Sequence, residues 1–193
     1  MELKLFSDAQ LMTLFAHGRE DAFRLLYDRN RERVHRLALR MTGRAQDAEE
    51  IVQETFLRVA RAAPRYEAQA AFTTWLHRVA LNVCLTWLKR AEGNVVPLFA
   101  ADAAPVAAGA TPHAALEARE VAALLQEELL SLSAPLRSAF VLRICEGLPY
   151  AEVAAILEIP EATARTHVHR ARSALRHRMR RALSASRHQG SAR

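Results

Sequence analysis

At 193 residues the chain can form one large domain or two small ones, each long enough to bury a helical core of its own. Only six glycines and seven prolines, in a chain rich in Ala, Leu and Arg and without an alternating β-branched stretch, predict an all-α fold. The net charge of +6 favours a polyanionic partner, and the lack of any run of about 18 uncharged apolar residues excludes membrane insertion by a spanning helix.

The chain opens with MELKLFSDAQ, which has no long apolar run, so a cytoplasmic protein is expected. A short helix is predicted over about 8–18 and a long one over 21–42, where Phe23, Leu26, Tyr27, Val34, Leu37, Ala38 and Met41 recur at helical spacing. Gly43 ends the second helix and a third runs over about 45–62, with Ile51, Val52, Thr55, Phe56 and Val59 inward. On its other side Asp47, Glu50 and Glu54 are spaced three and four apart, with Gln53 beside them. Such an acidic patch in a basic protein repels DNA and suits a cationic protein partner, unless it is simply a solvated face. Pro64 marks the exit into a loop over 65–70, and a fourth helix follows over about 71–90, with Phe72, Trp75, Leu76, Val79, Ala80 and Val83 inward.

Around that helix lie Tyr66, Trp87 and the cations Arg61, Arg65, Arg78, Lys89 and Arg90. Aromatic rings interleaved with cations suit unstacked bases, because a base stacks while its backbone is neutralised. Trp75 and Phe72 fit a core equally well and Trp75 is read as a core residue, which leaves Tyr66, in the loop, as the better stacking residue. Cys84 and Cys145 are too few for a disulfide framework or a thiolate zinc site. Residues 91–114, rich in Ala, Pro and Gly and almost without charge, read as a flexible linker. Helices over about 115–131, with Leu116, Val121, Leu124, Leu125 and Leu129, and over 136–146, ending at Gly147, begin a second domain.

Residues 150–172, YAEVAAILEIPEATARTHVHRAR, form two short helices across a tight turn, a helix-turn-helix. Val153, Ala154, Ile156 and Leu157 face inward from the first, and Ala164, Val168, Ala171 and Leu175 make the inner stripe of the second. The opposite side carries Ala162, Arg165, Thr166, His169, Arg170 and Ser173. A major groove admits one such helix, whose side chains reach base edges and phosphates. The alternative is a solvated amphipathic face. Residues 162–193 hold nine Lys plus Arg and no Asp or Glu, whereas 116–161 hold three basic and eight acidic residues, so the charge is concentrated where DNA is expected. His167 and His169 point in different directions and do not share a metal. No glycine-rich phosphate loop, HExxH or Ser/His/Asp grouping is present, so neither a cofactor, a small-molecule substrate nor an enzymatic reaction is expected. The final ten residues, 184–193, read as a disordered tail.

In order along the chain these segments resemble bacterial RNA polymerase sigma factors of the extracytoplasmic-function type. DAFRLLYDRNRERVHRLALRMTG and DAEEIVQETFLRVAR are similar to the first helix and the polymerase-binding segment of the sigma-2 domain. AFTTWLHRVALNVCLTWLKR is similar to the helix that recognises and melts the minus-10 element, and LSAPLRSAFVLRICEGLPYAEVAAILEIPEATARTHVHRARSALR to the sigma-4 domain that reads the minus-35 element. The resemblance implies two small helical domains, at 1–90 and 115–183, joined by the linker, and a partnership with the beta-prime and beta subunits of core polymerase and with promoter DNA.

It also implies residue roles. Asp47, Glu50, Gln53 and Glu54 would meet the beta-prime coiled coil. Arg65, Tyr66, Arg78, Asn82, Lys89 and Arg90 would hold minus-10 bases and backbone. Arg165, Thr166, His169, Arg170 and Arg172 would enter the minus-35 groove. An anti-sigma factor is the regulator the family implies. The sequence departs from the family pattern at Thr86, where Asp is common, at His167, where Arg is common, and at Glu158, in a turn position where Gly is common. A conventional helix-turn-helix regulator would explain 150–172 but leaves 47–90 without a purpose, and a purely protein-binding adaptor does not explain the acid-free basic end.

Overall fold

The computed structural model describes residues 3–67, 71–92 and 112–190, and the side chains of all of these outside 91–92, 112–118 and 182–190. The described elements are all helical, and the chain divides into two compact units, one holding Met1–Thr42 and Gln46–Val96, the other Gly43–Ala45 and Pro97–Arg193.

In the first unit α1 spans Asp8–Ala16, α2 Glu20–Thr42, α3 Ala45–Ala62 and α4 Phe72–Glu92, with 3-10 turns at Leu3–Leu5 and Ala63–Arg65. The Ser7 hydroxyl accepts from the Gln10 N–H while the Ser7 N–H donates to Gln10 Oε1, so a capping box starts α1. Gly18 and Gly43, at φ 90° and 78°, end α1 and α2 in the left-handed region that no β-carbon favours. Leu11, Met12, Leu26, Val34, Leu37, Met41, Ile51, Val59, Leu76 and Leu81 are buried, each worth about 1.5–3 kcal/mol against exposure. The N-terminal segment is tied to α2 by Arg29, which donates to the Lys4 and Phe6 carbonyls and pairs with Asp8 at 3.0 Å, while Asn30 donates to the other Asp8 oxygen at 2.8 Å. Cys84 lies in this core. Burial pushes its thiol up to about 12, so it is neutral near pH 7 and neither a nucleophile nor a ligand.

The second unit holds α5 over Pro112–Leu130, α6 over Ala134–Phe140, α7 over Tyr150–Leu157 and α8 over Glu161–Gly190. Where a single helix was expected over 136–146, α6 gives way to a π-helical segment, Val141–Cys145, in which the Glu146 N–H reaches back to the Val141 carbonyl at 3.0 Å. Buried Arg137 donates to the Leu130 and Leu132 carbonyls and so satisfies the end of α5. Leu129, Leu132, Ala139, Val141, Leu142, Val153, Ile156, Ala164, Val168, Ala171 and Leu175 make the core. Val121 and Leu125, which continue the apolar spacing of α5, are 46% and 40% exposed, because α5 lies against α8 along one side and these two, a turn apart, face away.

The linker expected over 91–114 falls almost wholly outside the described residues. The tail read as disordered from 184 is helical in backbone to Gly190. Its Ala, Ser, Arg and His permit helix although its apolar period has ended.

Glu158 joins α7 to α8 at φ 55°, ψ 42°, the single non-glycine positive φ among the described residues. A β-carbon in that conformation costs roughly 1–2 kcal/mol, partly offset in a glycine by unfolded-chain entropy. Glu158→Gly is therefore expected to stabilise the second unit by about 0.5–1 kcal/mol. Chemical denaturation followed by circular dichroism measures it, and an unchanged midpoint would show the turn to be unstrained.

Candidate nucleic-acid and protein interfaces

On α8 the inward stripe is fully occupied by packing, since Ala164, Val168, Ala171 and Leu175 are all at or below 4% exposure. At about 100° per residue this turns Arg165, Thr166, His169, Arg170 and Arg172 outward, and all five are exposed. His167 departs from them: it is half-buried with Nδ1 enclosed and unpartnered, so the two histidines diverge as expected. Arg165 is exposed yet not loose. Glu161 Oε1 accepts from its Nε at 3.1 Å and from Nη2 at 2.5 Å, and its guanidinium lies 4.5 Å from the centroid of the Tyr150 ring.

In the first unit the 3-10 turn after α3 and the first turns of α4 enclose an open cleft of about 640 Å³, lined by Arg58, Arg61, Arg65, Tyr66, Glu67, Thr74, Trp75 and Arg78. Four guanidinium-bearing side chains around two aromatic rings give the cleft a chemistry that suits an anionic, flat ligand. Of the expected minus-10 residues, Arg65, Tyr66 and Arg78 meet there. Asn82 is exposed one turn beyond Arg78 on the same face of α4, and Lys89 is exposed two turns further. Trp75, assigned to the core from the sequence, is instead half-exposed and lines the cleft, because the first turn of α4 borders the cleft as well as the core, while Phe72 is 4% exposed. Tyr66 is less free than a loop residue: its ring packs 5.2 Å from Trp75 and 6.0 Å from Phe72, and its enclosed hydroxyl is held above the usual tyrosine range by burial.

A second cleft, of about 600 Å³, lies between α3 and α4 and is lined by Glu50, Gln53, Glu54, Leu57, Arg58, Val83, Thr86, Trp87 and Arg90. Three of the four acidic-patch residues meet here, and Asp47 is half-buried one turn earlier on α3. Arg90, grouped by sequence with the minus-10 cations, sits instead in this cleft. The face is also more apolar than the sequence indicated, because Leu57 is 51% exposed and Trp87 half-exposed beside the carboxylates. Arg58, overlooked in the sequence, lines both clefts and pairs with Glu54 at 2.7 Å. The four-residue interval between Glu54 and Arg58 was its available signal.

The described residues contain no helix long and apolar enough to cross a membrane and no His, Cys, Asp and Glu cluster fit for a metal ion. A helical bundle with an aromatic, cationic cleft, followed by a unit that displays a basic helix-turn-helix, is the build of a DNA-binding transcription protein. Residues 26–93 match the Sigma-70 region 2 family and residues 122–175 the Sigma-70, region 4 family. The ECF RNA polymerase sigma factor SigW of Bacillus subtilis is 30% identical over 175 residues, covering 84% of this chain and 91% of that protein. SigM of Mycobacterium tuberculosis, another ECF RNA polymerase sigma factor, is 34% identical over 171 residues, 88% of this chain and 83% of its own. Among solved structures, CnrH in complex with the cytosolic domain of CnrY aligns with a TM-score of 0.63 at 24% identity, over 87% of this chain and 94% of that one. RpoE in complex with the anti-sigma factor NepR, from Bartonella quintana, gives 0.61 at 21% identity, over 78% and 91%. The chain belongs to the ECF sigma factors of the sigma-70 family, which direct RNA polymerase to promoters.

Proposed function

We propose that the two clefts and the exposed face of α8 divide the work of promoter recognition. The face made by Glu50, Gln53 and Glu54, with Asp47 beside it, docks on a basic surface of core polymerase, and Leu57 and Trp87 supply apolar contact. The cleft of Arg61, Arg65, Tyr66, Trp75 and Arg78, continued by Asn82, holds unstacked non-template bases of the minus-10 element. Extruding a base costs a few kcal/mol, which stacking and phosphate pairing in the cleft offset, so strand capture needs no nucleotide hydrolysis by this chain. Arg165, Thr166, His169, Arg170 and Arg172 read the minus-35 groove. The observation that carries this reading is the burial of one stripe of α8 against the exposure of Arg165, Thr166, His169, Arg170 and Arg172 away from it. Action in the cytoplasm, without a reaction of its own, follows from that role. An anti-sigma partner, such as NepR is for RpoE, is the regulator in keeping with it.

Transcription reconstituted from purified chain, core polymerase and a promoter template tests the whole. Initiation that depends on the chain is expected, whereas tight duplex binding by the chain alone with polymerase left inert would make it a conventional regulator. Within that assay Arg165→Ala is expected to weaken minus-35 recognition by about 1–3 kcal/mol at one base pair. An equal loss on every sequence would mark Arg165 as a phosphate contact instead.

A further inference from the structure

Reading a base with arginine requires that a long side chain with many rotamers arrive at one angle, and an unrestrained guanidinium loses that freedom when it docks. Arg165 is already restrained, by groups from two different helices. Its guanidinium carbon stands 4.5 Å from the centroid of Tyr150, the first residue of α7, and Arg143, from the π-helical segment, stands 4.9 Å from the same ring. Arg143 is itself fixed, donating from Nη1 to the Leu148 carbonyl at 3.3 Å, so the ring is gripped from an element other than α8. Glu161, one turn before Arg165, accepts from Nε and Nη2 on a single oxygen. The side chain of Arg165 is nevertheless 60% exposed.

We propose that Tyr150 and Glu161 are positioning residues that set the base specificity of Arg165, holding its guanidinium so that its end-on edge points outward for a guanine of the minus-35 element. The proposal rests on the reading of Arg165 as a base contact. Glu161 consumes Nε and one hydrogen of Nη2, and the guanidinium carbon lies over the ring of Tyr150. Three donors are left, two on Nη1 and the outer one on Nη2, and one from each nitrogen makes the parallel end-on pair that matches O6 and N7 of guanine. The π-helical segment takes part because it sets where Arg143 meets the ring, so the platform does not follow Arg165 as it turns toward the groove.

The test is made on holoenzyme, assembled from the full chain and core polymerase, bound to a promoter library with each minus-35 base pair substituted in turn at one salt concentration. Arg165→Ala first identifies the base pair whose preference it removes. Tyr150→Ala is expected to reduce the preference at that same base pair by about three- to tenfold, and Tyr150→Phe, which keeps the ring, to stay within about twofold of the parent. Glu161→Ala, an exposed substitution that spares the core, is expected to lower the same preference while raising total affinity, since a carboxylate near phosphates is gone. Three results would overturn the proposal: Tyr150→Phe as damaging as Tyr150→Ala, which makes the hydroxyl the working group; loss at a different base pair, which makes Glu161 or Tyr150 a reader in its own right; or unchanged preference in both Tyr150→Ala and Glu161→Ala. If Arg165→Ala alters no base preference, the minus-35 reading of Arg165 fails first and the positioning role falls with it.

Discussion

Replacing Glu50 and Glu54 together by lysine is expected to abolish association with core polymerase while leaving helix content and melting temperature close to those of the parent. Glu50 is exposed, and the pair Glu54 makes with Arg58 lies four residues along one helix at a part-exposed site, an arrangement worth about 0.3–0.5 kcal/mol to the fold. Binding is far more sensitive, because each substitution reverses a charge within the cleft that Leu57 and Trp87 share, and like charges facing one another across an interface cost several kcal/mol. Co-elution with core polymerase on size exclusion, alongside a circular-dichroism melt, separates the two effects. Persistent co-elution would remove this face from the account of docking.

Trp75→Ala is expected to impair promoter opening by about five- to hundredfold without changing minus-35 binding, on the scale of about 1–3 kcal/mol per stacked base. Trp75 is the large ring of the cationic cleft, and Tyr66 and Phe72 pack 5.2 Å and 5.6 Å from it, so its loss removes both a stacking surface and the support of Tyr66. Permanganate reactivity of unpaired thymines, set against mobility shift on a duplex carrying the minus-35 element alone, measures the two steps. Trp75→Phe, which retains a π-face, should recover most of the opening. Equal loss in both assays would mean that the residue supports the protein rather than the open strand.

Much of this molecule is written in residue spacing. Periods of three and four place the inner faces of α2, α3 and α8 correctly, and Gly43 ends α2 where a positive φ is needed. Glu158 in the turn after α7 adopts the left-handed backbone that its position in the motif requires. What spacing does not reveal is what lies opposite. Val121 and Leu125 continue the apolar rhythm of α5, but rhythm identifies a face without saying whether another helix covers it. The π-helical segment is invisible for a related reason, since VLRIC suits an α-helix locally and its wider turn is a matter of hydrogen-bond register. In the cleft, Tyr66 and Arg65 are legible as ring and cation in a loop, whereas the gathering of Arg58 and Trp75 with them depends on how α3 lies against α4. Tyr150 escaped attention because an aromatic at the start of a helix carries no periodic signature, and its meaning depends on the two cations brought over it.

The 30 residues of α8 make a rod about 45 Å long at 1.5 Å per residue, against a major groove about 12 Å across. Only the leading turns fit inside the groove. Arg172, Arg176 and Arg180, at successive intervals of four, extend the positive face of Arg165 and His169 beyond the part proposed to read bases. That far portion of the rod can bind any phosphate it passes, irrespective of sequence, so shortening the helix should weaken attachment to every template alike and flatten its dependence on salt.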